Sequence, residues 1–287
     1  TTFTVREIRV TGAGFSLDSG LSLPAAMSSG ESAPFHITAT PPRAGILSGV
    51  LEVDGRQFTI NVTALDPPLP AVSLQLQAEP LQSGRQAKVS VSLAAPSPLT
   101  TTISLHLLFT PLNGAPDDPA VQFAGSGSRS INLSITQGDS VAKSGTQSEI
   151  TFQTGTTAGT LTLRVSAGFQ SPEISATVGA APVWIDSVRA TRTPTGVELN
   201  CAGFDNSRST TQASFQFFDR AGRPINVEPI RAPVTEAFQR HFSTSQLGGL
   251  FALQATFPVA GDAAQIGAVE VSMTNAQGNS NTVRATF

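Results

Sequence analysis

Charge is scarce in this chain of 287 residues: 17 Lys+Arg stand against 20 Asp+Glu, a net −3, and 13% of residues are charged, about half the ~25% usual in soluble domains. A basic nucleic-acid surface, a polybasic membrane anchor and an acidic tail are excluded together. Lys and Met occur twice each, Trp once and Tyr not at all, and the single cysteine, Cys201, has no partner for an intramolecular disulfide. No stretch approaches the roughly 18 uninterrupted apolar residues of a membrane-spanning helix. The opening residues, Thr1-Thr2-Phe3-Thr4-Val5, carry no basic segment, no apolar core of a secretion signal and no initiating Met. The chain therefore reads as a processed product or a fragment.

Hydroxyls take the place of charges. Ser (31) and Thr (32) together supply 63 residues, a polar surface suited to exposed strand faces, where Thr has good propensity. Helical periodicity is almost absent. Short runs instead alternate apolar with polar residues between Gly, Pro, Asn and Asp. Such runs centre on Ile37, Leu74, Val91, Leu133, Leu163 and Val271. Residues 50–60 read as a hairpin with Asp54-Gly55 at its tip, where both central residues want positive φ. One short helix is predicted over residues 233–242, with Thr235 as N-cap, Phe238 and Phe242 on one face, and Gly248-Gly249 as its stop. The fold class is all-β.

Two breaks divide the chain. Asp66-Pro67-Pro68-Leu69-Pro70 cannot continue a ladder, because each Pro lacks the N–H donor, so it reads as a short stiff linker. Gly179-Ala180-Ala181-Pro182 marks a softer boundary. The predicted organisation is a partial immunoglobulin-like β-domain over residues 1–66, a Pro-rich linker over 67–70, an immunoglobulin-like sandwich over 71–181, and a C-terminal β-sandwich with the short helix over 182–287. The last two match the ~100 residues and about seven strands of an immunoglobulin-type sandwich. The first is too short, with about four strands expected near residues 3–10, 35–39, 46–53 and 58–64.

The first segment carries Ile8-Arg9-Val10-Thr11-Gly12-Ala13-Gly14-Phe15, then Leu23-Pro24, Gly30-Glu31-Ser32-Ala33-Pro34-Phe35 and Pro41-Pro42. This order resembles the Hydin-like immunoglobulin-type domain (choice-of-anchor class) of large secreted or surface-anchored bacterial proteins. Gly12 and Gly14 would permit a bulge or turn, and Phe15 would plug the core. The resemblance implies two further strands ahead of residue 1, so a first domain incomplete at its N-terminus, and a bacterial extracellular or cell-surface location. Residues 117–123 and 152–160 resemble a bacterial immunoglobulin-like module, and residues 200–287 a C-terminal β-domain of the same class. These motifs are structural Gly, Phe and Pro positions; they imply no catalytic residue and no cofactor.

Candidate chemistry is sparse. Cys201 reads as a small buried hydrophobe. His36, His106 and His241 lack the close His partner that a zinc site tends to use. Asp117 and Asp118, in the one acidic loop, are the calcium candidates, but two adjacent carboxylates fall short of six to eight oxygens, and a solvated turn is expected. No Gly-x-Ser-x-Gly in a strand-to-helix context, no nominated carboxylate pair and no phosphate loop points to an enzyme. Asn61-Val62-Thr63 and Asn132-Leu133-Ser134 match the glycosylation pattern by chance in a bacterial product. With no Tyr, and with Trp184 between Val183 and Ile185 at a domain entrance, the tryptophan reads as a boundary plug. The 17 Phe read as core aromatics. Phe15, Phe35, Phe58, Phe109, Phe123, Phe152, Phe215, Phe217 and Phe257 are all expected to be mostly buried.

An open sheet in the first segment would offer unpaired N–H and C=O groups to another strand. Phe3, Val5, Ile8 and Val10 are the candidate assembly strand, with a bulge between Val5 and Ile8. Donated head to tail, such a strand builds a homopolymer filament; the same residues also resemble an internal strand of the family domain. The expected function is that of a non-catalytic extracellular structural or adhesive protein, acting through β-sandwich surfaces on other subunits or surface proteins. The alternative is a carbohydrate-binding module, with a glycan as partner, or an accessory region of a larger secreted enzyme.

Overall fold

The computed structural model describes residues 2–18, 20–77 and 80–287. The chain forms two compact units, Thr1–Pro68 and Leu69–Phe287. No helix among the described residues is long and apolar enough to cross a membrane.

Among the described residues the first unit holds seven strands: β1 (Thr2–Val5), β2 (Ile8–Thr11), β3 (Phe15–Asp18), β4 (Ala25–Ser28), β5 (His36–Ala39), β6 (Gly45–Val53) and β7 (Arg56–Ala64). Sequence spacing predicts about four, since β1 and β2 read as one run and the four residues each of β3 and β4 are too few to show a period. Strand β1 pairs with β4, β3 with β5, and β2 joins β6 and β7 in a three-stranded sheet. The chain therefore changes sheets at Arg6-Glu7 and does not bulge within one strand. Both backbone N–H groups there donate to Asp54 Oδ1, at 2.8 and 2.9 Å. Asp54 (φ 44) and Gly55 (φ 82) form the predicted hairpin tip, with Val53 opposite Arg56. Gly14 (φ +83) turns the chain into β3; a Cβ there would lie 2.7 Å from the Thr40 carbonyl oxygen, so only glycine fits without a shift. Phe58 departs from expectation: it is 52% exposed. It sits just past the hairpin tip on edge strand β7, flanked by one neighbour only.

The second unit contains two sandwiches. The first is built from β8 (Val72–Gln77), β9 (Gln86–Leu93), β10 (Thr101–Pro111), β11 (Val121–Phe123), β12 (Ser130–Ile135), β13 (Glu149–Thr154), β14 (Gly159–Ser166) and β15 (Glu173–Val178). Its sheets run β11-β13-β9-β8 and β12-β10-β14-β15. The second is built from β16 (Trp184–Thr193), β17 (Gly196–Phe204), β18 (Gln212–Asp219), β19 (Ile230–Pro233), α1 (Thr235–Thr244), β20 (Leu250–Pro258), β21 (Ile266–Asn275), β22 (Gly278–Asn279) and β23 (Val283–Thr286). Its sheets are β16-β17-β20 and β19-β18-β21, with β22 and β23 also on β21. In both, successive strands (β9 and β10, β13 and β14; β17 and β18, β20 and β21) lie in opposite sheets, the Greek-key partition of an immunoglobulin-type sandwich.

Period-2 alternation fills each core. Val89, Val91, Leu105, Leu133, Phe152 and Val165 are fully buried in one cluster. Val197, Leu199, Cys201, Phe215, Val269 and Val271 are buried in the other. The helix appears where predicted, with Phe238 and Phe242 buried, but its N-cap is Val234. The Thr235 hydroxyl donates to the Thr211 carbonyl at 3.3 Å instead. Pairing of β19 with β18 runs through Pro233, which leaves Thr235 already inside the first turn. Within the Pro-rich segment, the Leu69 and Pro70 carbonyls accept from Gln170 Nε2 at 3.0 and 3.1 Å, which fastens them to the first sandwich of the second unit.

Candidate functional site

The polar run after β17, residues 205–211, is turned partly inward, with Asp205, Asn206 and Thr210 buried. It folds into the junction between the two sandwiches of the second unit. Asp205 is completely buried. Its carboxylate accepts from the backbone N–H groups of Ser207, Ser209 and Thr210, from the Ser207 and Thr210 hydroxyls, and from Asn275 Nδ2, at 2.7–3.1 Å. Asn206 faces the other way. It donates to Ser83 Oγ (2.8 Å) and the Gly179 carbonyl (2.9 Å), and accepts the Ala181 N–H (2.9 Å). One amide therefore ties the β8–β9 loop, the connector and the second sandwich together.

A second buried carboxylate mirrors the first from the opposite sandwich. Asp118, also completely buried, accepts from Ala120 N–H (2.9 Å), Thr156 N–H (2.6 Å) and the Thr156 hydroxyl (3.0 Å). Thr156 Oγ1 in turn accepts the Gly249 N–H at 2.9 Å. The approach needs glycine: at Gly248 (φ +64) a Cβ would meet Asp118 and Thr156 at 2.5 Å. Arg208 lines the same seam from the second sandwich, with its Nε buried and without a partner among the described residues. Its Nη2 donates to the Gly248 carbonyl (2.9 Å), and its guanidinium lies 5.5 Å from the Phe242 ring. Burial pulls its pKa down, against the opposing pull of Asp118 and Asp205. Buried polar groups with their partners in place hold a single arrangement strongly, since each would be costly to leave unpaired.

Beside this seam lies a cleft of about 680 Å³. Trp184 forms one wall, at the start of β16 and opposite Phe204. It is 43% exposed, which overturns the boundary-plug reading. Its Nε1–H donates to Asp186 Oδ1 at 2.9 Å. Asp186 occupies a register shift between Ile185 and Ser187, a bulge that sets its side chain independently of the ladder. Arg85 comes from the other sandwich, with its guanidinium 6.0 Å from the indole centroid. Gly84 (φ +70) lets that loop close on the Phe204 ring.

The residues nominated from sequence fall elsewhere. Asp117 and Asp118 diverge: Asp117 makes a forked pair with Arg129 at 2.9 and 3.0 Å, while Asp118 turns inward. The acidic turn is thus half buried, not solvated, because Thr156 and Ala120 supply donors that sequence spacing does not reveal. No group of three or more His, Cys, Asp or Glu side chains placed to hold a metal occurs among the described residues. Phe3 and Val5 pair with Met27 and Ala25, and Ile8 and Val10 with Val53 and Leu51, so the candidate assembly strand is paired inside its own unit. His36 is exposed, and exposed His241 contacts the Leu250 carbonyl through Nε2 at 2.9 Å. Cys201 is buried as expected, and burial, with a smaller contribution from Asp186, pushes its thiol up to about 12. Arg85, Asp205, Asn206 and Asn275 escaped notice. The one signal was an uninterrupted polar run directly after a buried strand.

No protein-family model matches the chain, and no curated protein matches it by sequence. Similar solved structures include the adhesin InvE of Yersinia pseudotuberculosis, at 14% identity and TM-score 0.24, covering 75% of this chain and 58% of that one. Domains 4 and 5 of the S-layer protein SbsC give 14% identity and TM-score 0.24, covering 61% of this chain and 99% of that one. Elastase-activated Escherichia coli alpha-2-macroglobulin gives 13% identity and TM-score 0.27, covering 100% of this chain and 28% of that one. Likeness at this level leaves the function to be read from the chain's own residues.

Proposed function

We propose that the chain is a non-catalytic part of an extracellular or cell-surface protein, in which two immunoglobulin-like sandwiches joined through their loops present their surfaces to other surface molecules in a structural or adhesive role. The observation that carries this reading is the polar seam. Its two buried carboxylates are occupied by donors of their own sandwiches, so they brace the loops whose Thr156 and Asn206 make the crossing bonds to Gly249 and Ser83 and are not presented to a substrate. Sparse charge and hydroxyl-rich strands fit the same role. The first unit is read as a Hydin-like domain of this class on its Gly12-Ala13-Gly14-Phe15 turn. Antibody labelling of intact cells tests the proposal. Signal on intact cells that external protease removes is expected; signal confined to permeabilised cells would overturn it.

A further inference from the structure

We propose that the cleft beside Trp184 binds a saccharide unit bearing a carboxylate, with the sugar ring laid on the indole and the carboxylate held by Arg85. The volume, about 680 Å³, falls within the roughly 300–1,000 Å³ of ligand sites. The tryptophan is exposed, yet it is not free to turn. It stands on a strand, and its one polar atom is already bonded to Asp186. What it offers a ligand is therefore apolar ring surface in a fixed orientation, which suits a rigid ring with an apolar face and polar edges.

The polar groups around it suit the rest of such a ligand. Arg85 is exposed and lies at the outer limit of a cation–π contact with the indole. Among the described residues no carboxylate lies within ion-pair distance of it, so its planar fork is open to a carboxylate in two-pronged fashion. The Gln82 side chain, Asn279 Nδ2 and the second carboxylate oxygen of Asp186 line the cleft without partners among the described residues. They supply donors and acceptors for hydroxyls. The seam behind the cleft fixes both walls, since Asn206 bonds Ser83 on one side and the connector on the other, and this preorganisation limits the entropy lost on binding. Neutral sugars would leave Arg85 unused, and a flexible acidic peptide would leave the indole without a rigid ring to cover.

The inference rests on the surface reading for where such a glycan is met, but it fails separately: surface labelling is indifferent to ligand, and binding is measured on the purified full chain. Trp184 is the chain's one tryptophan and there is no Tyr, so its emission reports on this cleft alone. Titration with oligogalacturonate, hyaluronan oligomers and sialyllactose should give a saturable change in emission with at least one of them. Binding should weaken about tenfold for a neutral oligosaccharide of equal length and for Arg85→Gln. Trp184→Ala, followed by calorimetry, should abolish the binding. Because Arg85 is exposed, Arg85→Gln keeps the test open if Trp184→Ala misfolds. No saturation by any acidic oligosaccharide at millimolar concentration would overturn the proposal. So would equal binding of neutral sugars, indifference to Arg85→Gln, or saturation by polyglutamate alone.

Discussion

Cys201 shows how burial sets the chemistry of one side chain. Its thiol stays protonated to about pH 12 in the folded protein, whereas an unfolded cysteine loses its proton above about 8.5. Between those values the unfolded state binds fewer protons, so stability falls as pH rises. Urea midpoints should decline above about pH 8.5, and less steeply in Cys201→Ala; with no Tyr in the chain, no phenol adds to the trend. Native protein should also resist iodoacetamide at pH 8 until urea unfolds it. Asp205 poses a different case, a buried side chain whose two oxygens are satisfied by the chain's own donors. Asp205→Ala strands several of them, each at about 1–3 kcal/mol, so a loss of at least about 3 kcal/mol is expected in denaturant melts.

Strands differ in what covers them, and matching residues then differ in worth. Phe152 on central strand β13 and Phe58 on edge strand β7 are both strand phenylalanines, yet the first is fully buried and the second 52% exposed. Phe152→Ala should cost about 3–5 kcal/mol, and Phe58→Ala less than about 0.5 kcal/mol. Equal midpoints for the two would contradict the register. The helix makes a related point. Its stability comes from the Phe238 and Phe242 edge contact at 5.9 Å and the Phe238 contact with Phe251 at 5.1 Å, so Thr235→Ala should have little effect in the same melts. The hairpin, the alternation and the helix were legible beforehand because each is written in neighbouring residues. The pairing of β1 away from β2 was not, since it depends on Asp54, some 47 residues away from Glu7.

Across the second unit the seam joins two sandwiches into one compact body. A single calorimetric transition is expected for Leu69–Phe287 within the full chain, and Asn206→Ala should split it into two by releasing Ser83 and the connector. Acid should weaken the same unit. Bonds from the Lys88 ammonium and then the Gln77 amide hold Glu149 below its ordinary value. The Arg223 backbone N–H, aided by its guanidinium, does so for Asp219. Groups of this kind stabilise above the unfolded pKa of about 4 and lose that contribution as pH falls through the lower folded value. Midpoints should therefore drop below about pH 4, and less so in Glu149→Gln.

The all-β class, the two sandwich cores and the position of the helix followed from local order, because period, proline and glycine act on the residues beside them. Seven strands in the first unit, the inward turn of Asp118, the exposure of Trp184 and its meeting with Arg85 did not. Each depends on groups brought together from distant parts of the chain, and whether a polar or aromatic side chain is covered depends on which of those neighbours arrives.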